Sequence, residues 1–264
     1  MNDFILVQDR HNALELSDAD VQWLCDRRAG VGADGILRAV KAGCMPDWNG
    51  DPNLWFMDYR NADGSTAQMC GNGLRLFVRY LMDEDLAPRD EVHVATRAGE
   101  RTVWELFDGR LRATMGRVRL GDRPTWVVLG DQRFDEAMPA DVGNPHAVVA
   151  LDGITALRRL DLTQHIELDP TVFPEGANVE FVVEEGPGRI RMRVQERGVG
   201  ETFSCGTGVV ASAAVMLRRA TGEAQGHCDV SVRGGHLSVH LVPDESFLTG
   251  PAVVVARGEV TMPD

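Results

Sequence analysis

Lysine is almost missing from this sequence: of its 27 basic residues only Lys41 is a lysine, and the other 26 are arginines. A pyridoxal-phosphate enzyme needs a lysine for its Schiff base, so that class is nearly excluded. Lys41 sits in a loop-like stretch with no phosphate-cradling motif beside it. Positive charge is short as a whole, because 40 acidic residues leave a formal net charge of −13. So acidic a chain argues against nucleic acid or an anionic membrane as the main partner. Cysteine is sparse too. Cys25, Cys44, Cys70, Cys205 and Cys228 include no CxxC pair, and this odd, scattered set fits neither a secreted disulfide framework nor a zinc site. No apolar run approaches the roughly 20 residues that a membrane-spanning helix needs. The start, Met1-Asn-Asp-Phe-Ile-Leu-Val, lacks the basic region and long apolar core of a signal peptide. A cytoplasmic protein with reduced thiols is the expectation.

What is present is an ordinary globular composition, 264 residues with 44% hydrophobic and 25% charged, enough for one large domain or two small ones. Residues 4–7 read as a short buried strand, and Ser17 is a plausible N-cap for a helix carrying Val21 and Leu24. Leu54 to Tyr59 reads as a strand ended by the turn signal Asn61-Ala-Asp-Gly. Further β-like runs are expected over 92–96, 101–107, 110–115, 125–129, 146–151, 178–183, 189–195, 228–232, 236–242 and 252–256. Short strands outnumber helices without regular βαβ alternation, which places the chain in the α+β class.

One internal echo stands out. Cys70-Gly-Asn-Gly precedes the apolar stretch Leu74-Arg-Leu-Phe-Val, and Cys205-Gly-Thr-Gly precedes Val209-Val-Ala-Ser-Ala-Ala-Val. The second stretch is apolar almost all round, so its helix must be enclosed on every side. A strongly curved sheet wrapped around a helix, once in each half, satisfies both observations. Two similar domains facing one another follow; they are expected at 1–114 plus 251–264, carrying Cys70, and 115–250, carrying Cys205, with the active site expected in the cleft between them.

A single cysteine at such a turn is most often a small buried hydrophobe. Two matching turns in matching halves ask for chemistry. The N-terminus of a helix favours a thiolate, and glycines leave N–H groups open to hold a carboxylate or a developing enolate. A disulfide oxidoreductase usually keeps its pair as CxxC, and a cysteine hydrolase leaves the second turn unexplained. Inversion of a carbon centre uses both: a thiolate removes a proton from one face while a thiol delivers one to the other. That chemistry asks for no cofactor and no metal.

In order, the chain carries Asn61-Ala-Asp-Gly-Ser, Met69-Cys-Gly-Asn-Gly-Leu-Arg, Gly143-Asn-Pro-His, Ala177-Asn-Val-Glu-Phe, Glu196-Arg-Gly-Val-Gly-Glu-Thr and Ser204-Cys-Gly-Thr-Gly. These six motifs, spread over nearly the whole chain, resemble the diaminopimelate epimerase family. The resemblance implies two related domains, each a mixed, barrel-like β-sheet around a central helix. It implies interconversion of LL- and meso-2,6-diaminopimelate by two bases, in lysine and peptidoglycan precursor synthesis, with a homodimer as a further expectation. Carried over, Cys70 and Cys205 match the acid–base pair, and Gly71, Asn72, Gly206 and Thr207 match the turns that hold the reacting carboxylate. Asn2, Asn61, Asn144, Asn178, Glu196 and Arg197 match residues that hold the substrate's amino and carboxylate groups. His146 and Glu196 resemble groups that tune the cysteines' protonation. Gly35 departs from the pattern, standing where some members carry a glutamine. The rivals are a proline or hydroxyproline racemase of the same fold, an isomerase using an acidic residue, and a non-catalytic amino-acid-binding protein. The racemases typically have a histidine after the first Cys-Gly and Ser-Pro before the second cysteine, where this chain has Asn72 and Phe203-Ser204.

Overall fold

The structure is a computed structural model that describes residues 2–262. The chain divides into two compact units, Asn2–Ala113 with residues 251–262, and Thr114–Gly250. The first builds β1 (Phe4–Gln8), α1 (Asp18–Cys25), β2 (Gly35–Lys41), β3 (Trp55–Asn61), α2 (Gly71–Asp83), β4 (Glu91–Thr96), β5 (Gly99–Glu105) and β6 (Leu111–Thr114). The second builds β7 (Arg119–Leu120), β8 (Thr125–Leu129), β9 (Gln132–Asp141), β10 (Pro145–Ala150), α3 (Ile154–Arg159), β11 (Ile166–Leu168), β12 (Asn178–Gly186), β13 (Arg189–Glu196), β14 (Gly200–Thr202), α4 (Gly206–Thr221), β15 (Gly226–Val232), β16 (Gly235–Val242) and β17 (Glu245–Gly250).

The pairing order repeats. In the first unit β1/β2 is parallel, β2/β3 antiparallel, β3/β4 parallel, and β4/β5 and β5/β6 antiparallel. In the second, β10/β12 is parallel, β12/β13 antiparallel, β13/β15 parallel, and β15/β16 and β16/β17 antiparallel. A helix occupies each parallel crossover in both units, because parallel neighbours need a long connection. Cys70 and Cys205 therefore begin equivalent helices on equivalent crossovers.

Alternation along the strands explains why the core helices are wrapped. Phe4 and Leu6 of β1 point with Leu37 and Ala39 of β2 toward α2, while Ile5, Val7 and Ile36 face α1 on the other side. Around Leu74, Phe77, Val78, Leu81 and Met82 of α2 close side chains from β2, β3, β4, β5 and β6. No residue of α2 before Asp83 is exposed. In the second unit α4 packs on β9, β10, β12, β13, β15, β16 and β17, and its residues Val209 to Leu217 are all buried. Ser17 caps α1 through a reciprocal capping box with Asp20, the local signal its position suggested.

Three readings need correction. Residues 252–256 form no strand: Pro251 cannot donate to a ladder, and Val253 and Val255 stand 66% and 90% exposed. Lys41 is not in a loop but ends β2, where its ammonium donates to the Asn53 carbonyl at 2.8 Å and lies over the Trp55 ring. The ten-residue β9 escapes a pattern reading because only Ala137 and Ala140 along it are buried. Among the described residues no helix is long and apolar enough to cross a membrane.

Candidate active site

Register places the motif residues in matched positions of the two units. Phe4 lies opposite Gly35 and Gly35 opposite Asn61, at the ends of β1, β2 and β3. In the second unit His146 lies opposite Asn178, and the pairing of Val179 with Gln195 sets Asn178 beside Glu196. Asn61 and Glu196 each end a strand at the same nine-residue separation from their cysteine, and Asn2 and Asn144 each stand two residues before the first matched strand position. Most of the asparagines, the glutamate and both cysteines singled out in the sequence thus fall on one duplicated frame. Where the second unit has Asn178, the first has Gly35. No side chain fits there, since a Cβ would stand 2.5 Å from the Arg60 carbonyl oxygen and 2.9 Å from the Tyr59 ring.

In the first unit Cys70 is the N-cap of α2, half-buried, with its sulfur accepting from the Gly73 N–H at 3.5 Å. Beneath it Arg75 folds back along the helix, donating to the Gly71 carbonyl at 3.0 Å and to Asn72 Oδ1 at 2.8 Å. A guanidinium only donates, so it fixes the direction of every bond that follows. Asn72 Nδ2 then donates to Asn2 Oδ1 at 2.6 Å, and Asn2 Nδ2 donates to Asp34 Oδ2 at 2.9 Å. Asn61 holds the adjacent turn, its Nδ2 donating to Ser65 Oγ at 3.0 Å while its carbonyl accepts from the Gly64 N–H.

The second unit surrounds its cysteine differently. Cys205 is the buried N-cap of α4, with Thr207 Oγ1 at 3.4 Å and Asn178 Nδ2 at 3.9 Å from its sulfur. Asn178 Oδ1 accepts from the Arg197 backbone N–H at 2.9 Å, which fixes the amide so that its NH2 faces the thiol. Burial raises the Cys205 pKa well above the usual thiol value, and the charges of Glu196 and Glu180 raise it further. The expectation of a lowered thiol pKa at a helix N-terminus is therefore overturned here: enclosure outweighs the helix dipole. Burial also raises the Glu196 pKa, partly offset by the Thr202 hydroxyl, which donates to its Oε1 at 2.5 Å.

His146 is wholly buried behind this cysteine turn, with Nδ1 2.8 Å from Glu180 Oε1 and Nε2 3.1 Å from Asn144 Oδ1. Glu180 is equally buried, and its Oε2 has no hydrogen-bond partner among the described residues. Its Oε1 lies against the first turn of α4, where a Cβ added at Gly208 would stand 2.4 Å away. Gly208→Ala is expected to push Glu180 off His146 and cost about 1–3 kcal/mol, the usual range for overpacking. Thermal denaturation checks this, and an unchanged Tm contradicts the packing described.

Arg197 differs from both buried groups. Its side chain is exposed, and Nη1 donates to the Glu175 carbonyl at 2.9 Å. Among the described residues it makes no salt bridge, so its guanidinium has free capacity for an incoming carboxylate. Arg75 and Glu180 were not singled out from the sequence as functional residues. Both carry a legible signal, a lone charge inside an apolar run (Leu74-Arg-Leu-Phe and Val179-Glu-Phe-Val), which in a core helix or strand must be buried.

A duplicated α+β fold with a thiol capping the core helix of each unit defines the class. A solved structure of a phenazine biosynthesis protein of the PhzF family from Bacillus anthracis shares the fold, with a TM-score of 0.70 over 94% of this chain and 90% of that chain at 14% identity. The family is narrower than the fold. A family model described as diaminopimelate epimerase matches residues 1–121 and 139–261. The chain is 45% identical to a diaminopimelate epimerase of Corynebacterium glutamicum, covering 98% of this chain and 94% of that one. It is likewise 45% identical to one from Mycobacterium ulcerans, covering 98% and 93%. The chain belongs to the diaminopimelate epimerase family.

Proposed function

We propose that the protein interconverts LL- and meso-2,6-diaminopimelate without a cofactor, in the synthesis of lysine and of peptidoglycan precursors. The observation that carries this reading is the matched pair of thiols, each heading an enclosed helix on the same crossover of a duplicated unit, in a chain of this family.

The chemistry follows from the groups. The thiolate of one cysteine takes the α-proton: an S–H bond forms, the C–H bond breaks, and the electron pair moves into the adjoining carboxylate as an enediolate. Backbone N–H groups at Gly71, Asn72, Gly206 and Thr207 stabilise that charge, because the first N–H groups of a helix have no partner within it. The second thiol gives its proton to the opposite face and becomes the thiolate. Asn2, Asn61, Asn144 and Asn178 supply amide donors and acceptors for the substrate's polar groups, and Glu196 an acceptor for an ammonium. His146 sets the polarity around Cys205 through its bonds to Asn144 and Glu180.

Incorporation of solvent deuterium at the α-carbon, with inversion, tests the assignment when run with diaminopimelate and with proline side by side. Exchange with proline alone revives the racemase, and exchange with neither leaves the amino-acid-binding protein. Asn72 after the first Cys-Gly, and Phe203-Ser204 before the second cysteine, favour the epimerase.

Arg197 decides substrate length in this reading. A bidentate guanidinium fits the distal carboxylate, and an ammonium at the same place does not reproduce two parallel bonds. Arg197→Lys is expected to lower kcat/KM for diaminopimelate by roughly tenfold to a hundredfold, the value of a charged hydrogen bond. Efficient racemisation of alanine by the unaltered protein would contradict the role.

A further inference from the structure

The two cysteine turns are alike in backbone and opposite in charge. Around Cys205 stand two carboxylates, Glu196 and Glu180. Beneath Cys70 stands a guanidinium: Arg75 is 3% exposed, and among the described residues its Nε has no hydrogen-bond partner. Its two remaining nitrogens reach a carbonyl oxygen and an amide oxygen, neither of them charged. Among the described residues it has no carboxylate partner, which is rare for a buried arginine, since an uncompensated buried charge is costly.

The neighbours of α2 do not supply the missing anion. The helix packs on β1, β2 and β3, and the charged groups of those strands and their flanks are taken up with one another. Arg38 pairs with Asp9 at 3.0 Å and with Asp58 at 2.8 Å, Arg97 also bonds Asp58, and Arg60 bonds Asp18. Further along α2, Arg79 pairs with Glu105 at 2.8 Å. Asp34 and Asp3 are held by Arg27, and Asp34 meets the Arg75 network only through Asn2 and Asn72. The face turned toward β4, β5 and β6 meets apolar side chains. What remains for the guanidinium is the sulfur at the head of its own helix.

We propose that Arg75 is a positioning residue, the buried counter-cation of Cys70, which holds that sulfur as the thiolate in the substrate-free protein and leaves Cys205 as the proton-bearing thiol. The two-thiol reading above enters only in calling that thiolate the resting base. Burial draws the Arg75 pKa down to about 10, with the Cys70 charge opposing the fall, so the guanidinium stays protonated at neutral pH. The same cation orders the site by a second route. Because Arg75 takes Asn72 Oδ1, Asn72 presents its NH2 to Asn2, and both asparagine amides are held in one orientation. The duplicated frame sharpens the contrast, since the first unit has Phe4 where the second has the imidazole of His146.

The pH dependence of alkylation by iodoacetamide, resolved by peptide mapping, tests the assignment in the full-length chain. Exposed Cys44 serves as the internal reference. A pH midpoint measures ionisation and does not depend on how accessible the sulfur is. Cys70 is expected to have a midpoint at least about one unit below that of Cys44, a tenfold difference in thiolate at a given pH below both midpoints. In Arg75→Met the Cys70 midpoint is expected to rise by about one unit or more, and in Arg75→Lys to stay near the unaltered value. A Cys70 midpoint equal to that of Cys44 overturns the proposal without any variant, so it stays testable if Arg75→Met does not fold. A midpoint unchanged in folded Arg75→Met overturns it as well. Alkylation needs no substrate. A protein that fails to exchange the diaminopimelate α-proton yet keeps an Arg75-dependent Cys70 midpoint would therefore sink the function and not this inference.

Discussion

Cys70→Ala and Cys205→Ala are each expected to lose epimerisation of diaminopimelate by a factor on the order of 10³ or more, while remaining folded. Each face of the α-carbon needs its own proton carrier, and a positioned acid or base contributes roughly 10²–10⁴-fold. Folding is expected to survive because each change removes one sulfur. At Cys70 it also removes a weak cap, a 3.5 Å contact from the Gly73 N–H. At Cys205 it leaves a small space among side chains already fully packed around α4. Circular dichroism separates loss of fold from loss of chemistry. Cys→Ser at either position keeps a hydroxyl that can donate a proton but is a poor base, so a trace of turnover in one direction is the expected residue. Near-normal inversion by either alanine variant would remove that cysteine from the mechanism.

Oxidation without substrate is expected to abolish activity by linking Cys70 to Cys205, with recovery on adding dithiothreitol. The proposed mechanism has both sulfurs address one carbon in turn, and a disulfide forms only between sulfurs that can close to about 2.05 Å. A thiolate is the attacking species in disulfide chemistry, and the Arg75 cation supplies one at Cys70. The other cysteines are poor competitors for physical reasons. Cys25 and Cys228 are buried, and burial raises both thiols, Cys228 to about 12. Cys44 is exposed and is removed from the experiment by Cys44→Ser. Peptide mapping of the inactive protein decides the matter. A crosslink between any other pair, or inactivation with Cys70 and Cys205 both still free, would contradict the shared substrate position.

Much of the chemistry could be read from the chain because the signals are local. A Cys-Gly-x-Gly turn before an apolar stretch is a helix start whatever surrounds it, since the first N–H groups must find an acceptor and glycine admits close neighbours. The capping box at Ser17 and the strands with regular alternation were legible for the same reason. So was the duplication, because a Cys-Gly-x-Gly turn before an apolar stretch recurs once in each half. Local signals fail where neighbours distant in sequence decide. Val253 and Val255 look like strand residues, but Pro251 cannot donate to a ladder, no described strand pairs with them, and they stand in solvent. The strand at Gln132–Asp141 has little apolar patterning and is held by pairing with β7, β8 and β10.

The sequence by itself determined which residues head the two core helices and that the two halves repeat, since helix starts and strand periods depend on neighbours a few positions away. It also placed the chain near its family, through six short motifs in order. Only the tertiary structure decided the charge at each thiol. Whether a helix N-terminus eases ionisation depends on how much water the sulfur keeps and which charges lie within a few ångströms. Enclosure with Glu196 and Glu180 keeps the proton on Cys205, and register across strands far apart in sequence brings those carboxylates there. At Cys70 the deciding fact is an absence, a buried guanidinium that has no carboxylate partner among the described residues. No residue of the Met69-Cys-Gly-Asn-Gly-Leu-Arg motif reveals it, because it depends on how every other acid around the helix is already paired.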